Sequence, residues 1–146
     1  MTTTIDMEAL KNDAVEIFNQ GFACSESVIY AIKKHFDLDL SDDAIAMSSG
    51  FPWGLGGGGC ICGALAGGTM CIGYFFGRRT PNDPAIQKCF RLTNELHDFF
   101  KQNCGVTCCR VLTRGLERNF PERKAQCTRF VADTVQKTAE IILREL

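Results

Sequence analysis

The chain has 146 residues, of which 45% are hydrophobic and 23% charged, and a formal net charge of −1. This length suits one domain spanning 1–146 with a real core, and the charged fraction argues against disorder. The near-neutral balance offers no bulk attraction to nucleic acid or an anionic membrane, so neither is expected as a partner.

The first predicted helix runs from Met7 to Gln20, where Met7, Leu10, Ala14, Ile17 and Phe18 recur at helical spacing. Gly21 suits the exit from that helix. A second helix starts near Cys24 and ends near Phe36. Cys24, Val28, Ile32 and Phe36 step by four, which places Cys24 on the apolar stripe. Ser41, Asp42 and Asp43 read as the start of a short third helix.

No charged residue occurs from Ala44 to Gly77. Its first part, Ser49 to Gly59, carries too much glycine and proline for a stable helix, since glycine costs about 1 kcal/mol per helical position relative to alanine. The second part, Cys60 to Gly77, can be helical. A membrane span needs ~20 apolar residues, but this stretch is glycine-rich and short of Leu, Ile and Val. A buried, glycine-rich central helix is expected instead. Gly63, Gly67 and Gly68 would allow close approach of neighbours, and Arg78 and Arg79 would suit its C-terminal end.

Asn82-Asp83-Pro84 predicts a helix start, with Asp83 as cap. That helix should reach Lys101 and bury Ile86, Cys89, Phe90, Thr93, Leu96, His97 and Phe100. A short helix follows Thr107, aligning Cys109, Leu112 and Leu116. The last helix begins near Pro121, with Cys127, Val131, Thr134, Thr138 and Ile141 on its inner face. No strand pattern occurs, so the expected fold is an all-α, single-domain helical bundle.

Charge is uneven along this chain. Residues 1–77 sum to −6 and residues 78–129 to +6. Either the two parts pack together, or the basic part docks an acidic redox partner. The aromatic cluster Phe75, Phe76, Phe99 and Phe100 reads as core, or as a homodimer interface if exposed.

Nine cysteines are unusual at this length. The odd number argues against a disulfide framework, and Met1–Lys11 lacks both the basic start and the apolar stretch of a secretory signal. A cytoplasmic, reducing setting is therefore expected, where clustered cysteines signal metal binding or thiol chemistry. Cys24, Cys62 and Cys109 fall in the opening turns of predicted helices, and Cys127 in an early turn of the last one. Helix N-termini carry free N–H groups and partial positive charge, which favour thiolate and a negatively charged metal–sulfur group. Gly58 and Gly59 would bring backbone N–H donors close to such a group. Four thiolates suit an iron–sulfur cluster or a tetrahedral zinc.

There is no CxxC pair. Cys60-Ile61-Cys62 is a CxC, Cys104 and Cys108 form a CxxxC, and Cys108 adjoins Cys109, so ligands would have to converge from separate helices. Cys60 and Cys108 are candidates for auxiliary cofactor-binding residues or resolving thiols. Cys71, Cys89 and Cys104 read as small buried hydrophobes. His35 and His97 read as structural. The Gly54–Gly59 run lacks the Lys-Ser/Thr of a phosphate loop. Phe51, Trp53 and Leu55 would either line the site or pack in the core.

The chain resembles the C_GCAxxG_C_C family of redox-active proteins. Gly21-Phe22-Ala23-Cys24-Ser25-Glu26-Ser27-Val28 is similar to its first cysteine block, and Cys62-Gly63-Ala64-Leu65-Ala66-Gly67 to its signature. Cys109-Arg110-Val111-Leu112 and Cys127 resemble the third and fourth blocks. The resemblance implies a redox-active protein associated with iron–sulfur binding, with Cys24, Cys62, Cys109 and Cys127 as the functional cysteines. Cluster type and redox partner protein stay unspecified. Three chemistries are compatible with the cysteines: an electron-transfer protein holding an iron–sulfur cluster, a metal-free thiol–disulfide oxidoreductase using Cys60/Cys62 or Cys104/Cys108/Cys109, and a structural or carrier zinc or copper site.

Overall fold

The computed structural model describes residues 4–115 and 121–146. Helix α1 (Met7–Asn19) begins where the Asp6 carboxylate accepts the Ala9 N–H at 3.1 Å, and it buries Leu10, Ala14 and Phe18. Gly21, at φ 115°, turns the chain into α2 (Cys24–His35). The Glu26 carboxylate caps this second helix by accepting the Ala23 N–H at 3.0 Å. Two buried serines on α2 are satisfied by carbonyls: Ser25 Oγ donates to Ser48 O at 2.9 Å and Ser27 Oγ to Ala23 O at 2.8 Å. His35 is structural as expected, though it works through an acid rather than through free carbonyls. Its Nε2 lies 2.6 Å from Asp13 Oδ2 and ties α2 to α1.

The short helix α3 (Asp42–Ala46) follows Ser41, whose hydroxyl makes no cap bond. Pro52–Leu55 forms a single turn, α4, that is left-handed rather than helical in the ordinary sense. Trp53, Gly54, Leu55 and Gly56 have φ values of 62°, 65°, 59° and 68°. Glycine there is a steric requirement as well as a conformational one, because a Cβ on Gly54 would lie 2.8 Å from Gly59 Cα.

Helix α5 (Gly63–Phe76) starts later than the sequence suggests. The Cys62 N–H donates to Thr107 O at 2.8 Å, so the segment from Cys60 is held to a distant loop. Helix α5 packs against α2, α6 (Ala85–Cys104) and α8 (Pro121–Glu145), and buries Gly63 to Gly68, Cys71 and Ile72. Its C-terminal end is met by Arg79, whose Nη2 donates to Tyr74 O at 3.3 Å.

The α6 start matches the Asn-Asp-Pro signal, with Asp83 Oδ1 accepting the Ala85 N–H at 2.9 Å. Its buried stripe is narrower than expected: Leu92, Leu96 and Phe100 are covered, while Phe90 is 58% exposed and His97 pairs with Asp98 at 3.0 Å. The reason is that α6 finds its main partners in α5 and α8 only, so one stripe suffices. Helix α7 (Cys109–Leu112) is one turn; Leu116, expected on its stripe, lies outside the described residues. Along α8, Phe130, Val131, Thr134, Val135, Thr138, Ala139, Ile141 and Ile142 are buried. A two-pronged pair, Arg144 on Glu95 at 2.6 and 2.8 Å, fastens its end to α6.

The fold is all-α, without a strand among the described residues, around one hydrophobic core. No helix among them is long and apolar enough to cross a membrane. Of the aromatic cluster, Phe100 is buried against Phe130 at 5.7 Å between ring centres, while Phe75, Phe76 and Phe99 are half-buried.

Candidate functional site: a cavity shared by four cysteines

Cys24 is the first residue of α2, Cys62 the residue before α5, and Cys109 the first of α7; Cys127 lies two turns into α8. All four line one cavity of about 330 Å³. Two further groups of wall residues matter for its chemistry. Phe18, Phe22, Trp53 and Phe130 supply apolar and aromatic surface, and Arg123 and Lys124 supply positive charge.

The signature glycines have steric roles here. A Cβ on Gly63 would collide with Cys24 Sγ, so the first glycine leaves room for the sulfur of another helix. A Cβ on Gly67 would lie 2.6 Å from Ser25 O and 3.0 Å from Ser25 Cα. Gly67 thus lets α5 cross α2 backbone against backbone, and this crossing sets Cys24 beside Cys62. Gly68 does the same on the other face, where a Cβ would meet Thr138 Oγ1 at 2.6 Å and Leu96 Cδ2 at 2.9 Å.

Burial and neighbouring charges act on three of these thiols. Burial pushes the Cys24 thiol up to about 12; neighbouring Cys127 adds to this, and a hydrogen bond from the Ser25 backbone opposes it. Burial also pushes Cys62 well above the ordinary thiol range, reinforced by Cys24 and opposed by backbone bonds from Ala64 and Leu65. Cys127 is raised by burial and by Cys109, while Arg123 and Lys124 pull it down. Arg123 Nη2 donates to Cys109 Sγ at 3.8 Å, and its guanidinium stacks 4.2 Å from the Trp53 ring centre. Lys124 is fixed by Phe18, both through the ring at 3.7 Å and through the carbonyl oxygen at 3.3 Å.

The expectation that helix starts lower these thiols is therefore corrected for Cys24, Cys62 and Cys127. The backbone donors are present at Cys24 and Cys62, but desolvation outweighs them. Neighbouring thiolates also oppose the ionisation of Cys24, Cys62 and Cys127, and positive charge placed among the sulfurs would relieve this.

Gly58, Gly59, Cys60 and Cys108 stand apart from the cavity. The glycine N–H groups are used inside their own turn, Gly58 on Leu55 O at 3.3 Å and Gly59 on Gly54 O at 2.8 Å, rather than on sulfur. Cys60 and Cys108 are joined to each other in a disulfide. This pairing differs from those expected, Cys60 with Cys62 or Cys108 with its neighbours, because the loops 59–62 and 107–110 meet. Arg110 N–H donates to Gly59 O and Cys62 N–H to Thr107 O, both at 2.8 Å.

Of the aromatic candidates, Trp53 lines the cavity, whereas Leu55 is 57% exposed and Phe51 does not reach it. Cys71 is buried elsewhere, and Cys89 and Cys104 also lie away from the cavity. Phe18, Phe22, Arg123, Lys124 and Phe130 are not among the site residues expected from sequence. Arg123 lies four residues before Cys127 on one helix, a spacing that places both on the same face.

Among the described residues, no group of three or more His, Cys, Asp or Glu side chains is arranged to hold a metal ion. The donor set nevertheless suits a negatively charged metal–sulfur group: four thiols, backbone N–H donors at two of them, and two cations in the wall.

Fold and cavity together define an all-α protein built around four convergent thiols. The chain belongs to the family described as "Putative redox-active protein (C_GCAxxG_C_C)", whose sequence model matches residues 22–141. It is also 25% identical over 144 residues to an uncharacterized protein of Archaeoglobus fulgidus, an alignment covering 91% of this chain and 93% of that one. No solved structure matches the chain.

Proposed function

We propose that this redox-active protein carries electrons on an iron–sulfur cluster held by Cys24, Cys62, Cys109 and Cys127. The observation that carries the proposal is the convergence of these four cysteines, from four separate stretches of chain, on one cavity of about 330 Å³. A tetrahedral zinc holds its sulfurs at about 2.3 Å and needs no cavity between them. A cavity of about 330 Å³ lined by all four thiols has room for a group of several atoms. Metal-free thiol chemistry at the quartet is disfavoured by the burial of Cys24 and Cys62, because a thiol held neutral is a weak nucleophile.

A bound cluster would supply one-electron transfer. The protein's part is to bind it, keep it dry and offset its charge. Phe18, Trp53 and Phe130 exclude water from the sulfurs. Backbone donors of Ser25, Ala64 and Leu65 point at Cys24 and Cys62, and Arg123 with Lys124 compensates negative charge on the opposite wall. Phe22 and Trp53, 40% and 38% exposed, border the cavity where a redox partner protein would approach.

The test is anaerobic purification and reconstitution with iron and sulfide. The expected product is brown, with broad visible charge-transfer absorption and iron and acid-labile sulfide in equal amounts. A colourless, iron-free product after reconstitution would overturn the proposal. Stoichiometric zinc without a redox response would replace it with a structural metal site.

A further inference from the structure

We propose that the Cys60–Cys108 disulfide is a second redox centre, distinct from the four-thiol cavity, that exchanges two electrons with a dithiol protein. The bridge spans 48 residues of sequence and joins two surface loops. Cys60 is exposed and Cys108 half-buried, so one sulfur is open to attack from solution and the other is sheltered. Arg110 lies against the bridge's loop. Its backbone N–H donates to Gly59 O, its Nη2 donates to Gly58 O at 2.8 Å, and its side chain packs on Gly59, where a Cβ would lie 2.8 Å from Arg110 Cβ. Held on the residues just before Cys60, this guanidinium adds positive charge to the loop that an incoming thiolate approaches.

The bridge also lies next to two cavity thiols. Cys62 follows Cys60 by two residues, and Cys109 follows Cys108 directly. The disulfide, with the two backbone bonds on either side of it, therefore clamps the segments that carry Cys62 and Cys109. Reduction would remove the covalent part of that clamp and leave hydrogen bonds and packing to hold them.

The exchange balances as follows. A thiolate of the dithiol attacks Cys60 Sγ, the Cys60–Cys108 bond breaks, and Cys108 leaves as a thiolate that takes up a proton. The second thiol of the dithiol then attacks its own sulfur in the mixed disulfide. Cys60 is released and protonated, and the partner becomes a disulfide. Two electrons and two protons pass from the dithiol to this protein.

The test uses the full chain in metal-free form, so its outcome is independent of iron binding. After equilibration with glutathione disulfide, alkylation and peptide mapping should find Cys60 linked to Cys108 and seven free cysteines. Dithiothreitol should free two further thiols reversibly. That two-thiol change should vanish in both Cys60→Ser and Cys108→Ser. A thioredoxin-type protein lacking its resolving cysteine should be trapped on Cys60. The wild-type map decides the matter even if a variant fails to fold. All nine thiols free after oxidation, a bridge between other cysteines, or a trapped adduct elsewhere would overturn the proposal.

Discussion

The two sides of the cavity are built on different physical terms. On the α2–α5 side, Cys24 and Cys62 sit in an uncharged wall whose geometry is set by steric exclusion at Gly63 and Gly67. On the α7–α8 side, Cys109 and Cys127 sit beside Arg123 and Lys124, next to a left-handed turn and a disulfide-clamped loop. One side fixes where the sulfurs are. The other governs the charge they can carry. A site for a metal–sulfur group needs both, and here they come from different parts of the chain.

The steric side should be the more fragile. Gly67→Val would push a branched side chain into the Ser25 backbone, and overpacking of this kind costs about 3 kcal/mol. Urea denaturation should show that loss. A variant as stable as the parent would mean that the α2–α5 crossing is looser than described.

A pH-dependent effect comes next, from the same helix. Cys71 is buried with its thiol pushed up to about 12 by desolvation, whereas an exposed thiol ionises near 9. Between these values the unfolded chain releases a proton that the folded chain retains. Stability from this group is therefore intact below about pH 9 and lost as pH rises to about 12. Cys71→Ala should remove that part of the decline in the metal-free protein, measured by thermal melting across the range. An unchanged decline would contradict it.

On the charged side, Arg123→Gln removes a donor to Cys109 and a positive charge that lowers Cys127. The Cys127 thiol should then rise further, and its alkylation rate at pH 8 should fall several-fold, with helix content preserved. An unaltered rate would detach Arg123 from the site's electrostatics. The smallest effect should follow from Asp13→Asn, far from the cavity. Its partners His35 and Lys34 hold its carboxyl below the ordinary carboxylate range, yet such a pair near the surface contributes at most about 1 kcal/mol. Iron binding should be unaffected.

Much of this was legible from residues. Periodicity located α1, α2, α6 and α8 closely, because each buries a stripe at helical spacing. The resemblance pointed to Cys24, Cys62, Cys109 and Cys127, and the structure brings these four to one cavity. What was hidden depends on which distant segments meet. The Cys60–Cys108 pairing needs loops 48 residues apart to lie side by side, and no local spacing encodes that. Gly58 and Gly59 looked like donors to sulfur, but the left-handed turn before them consumes their N–H groups. The thiol ionisation ran opposite to expectation at Cys24 and Cys62, because helix-start donors are visible in sequence and the depth of burial is not. Gly63 was expected to admit a neighbouring helix; that its neighbour is the Cys24 sulfur required the three-dimensional arrangement.

The central claim is that the four cavity cysteines together hold one iron–sulfur cluster. Differential alkylation of the anaerobically reconstituted protein, followed by peptide mapping and compared with the iron-free chain, tests it most directly. The expected result is that Cys24, Cys62, Cys109 and Cys127 gain protection together as iron and sulfide bind, while Cys89 and Cys104 react as before. Iron bound without protection of these four, or protection centred on other cysteines, would contradict the account.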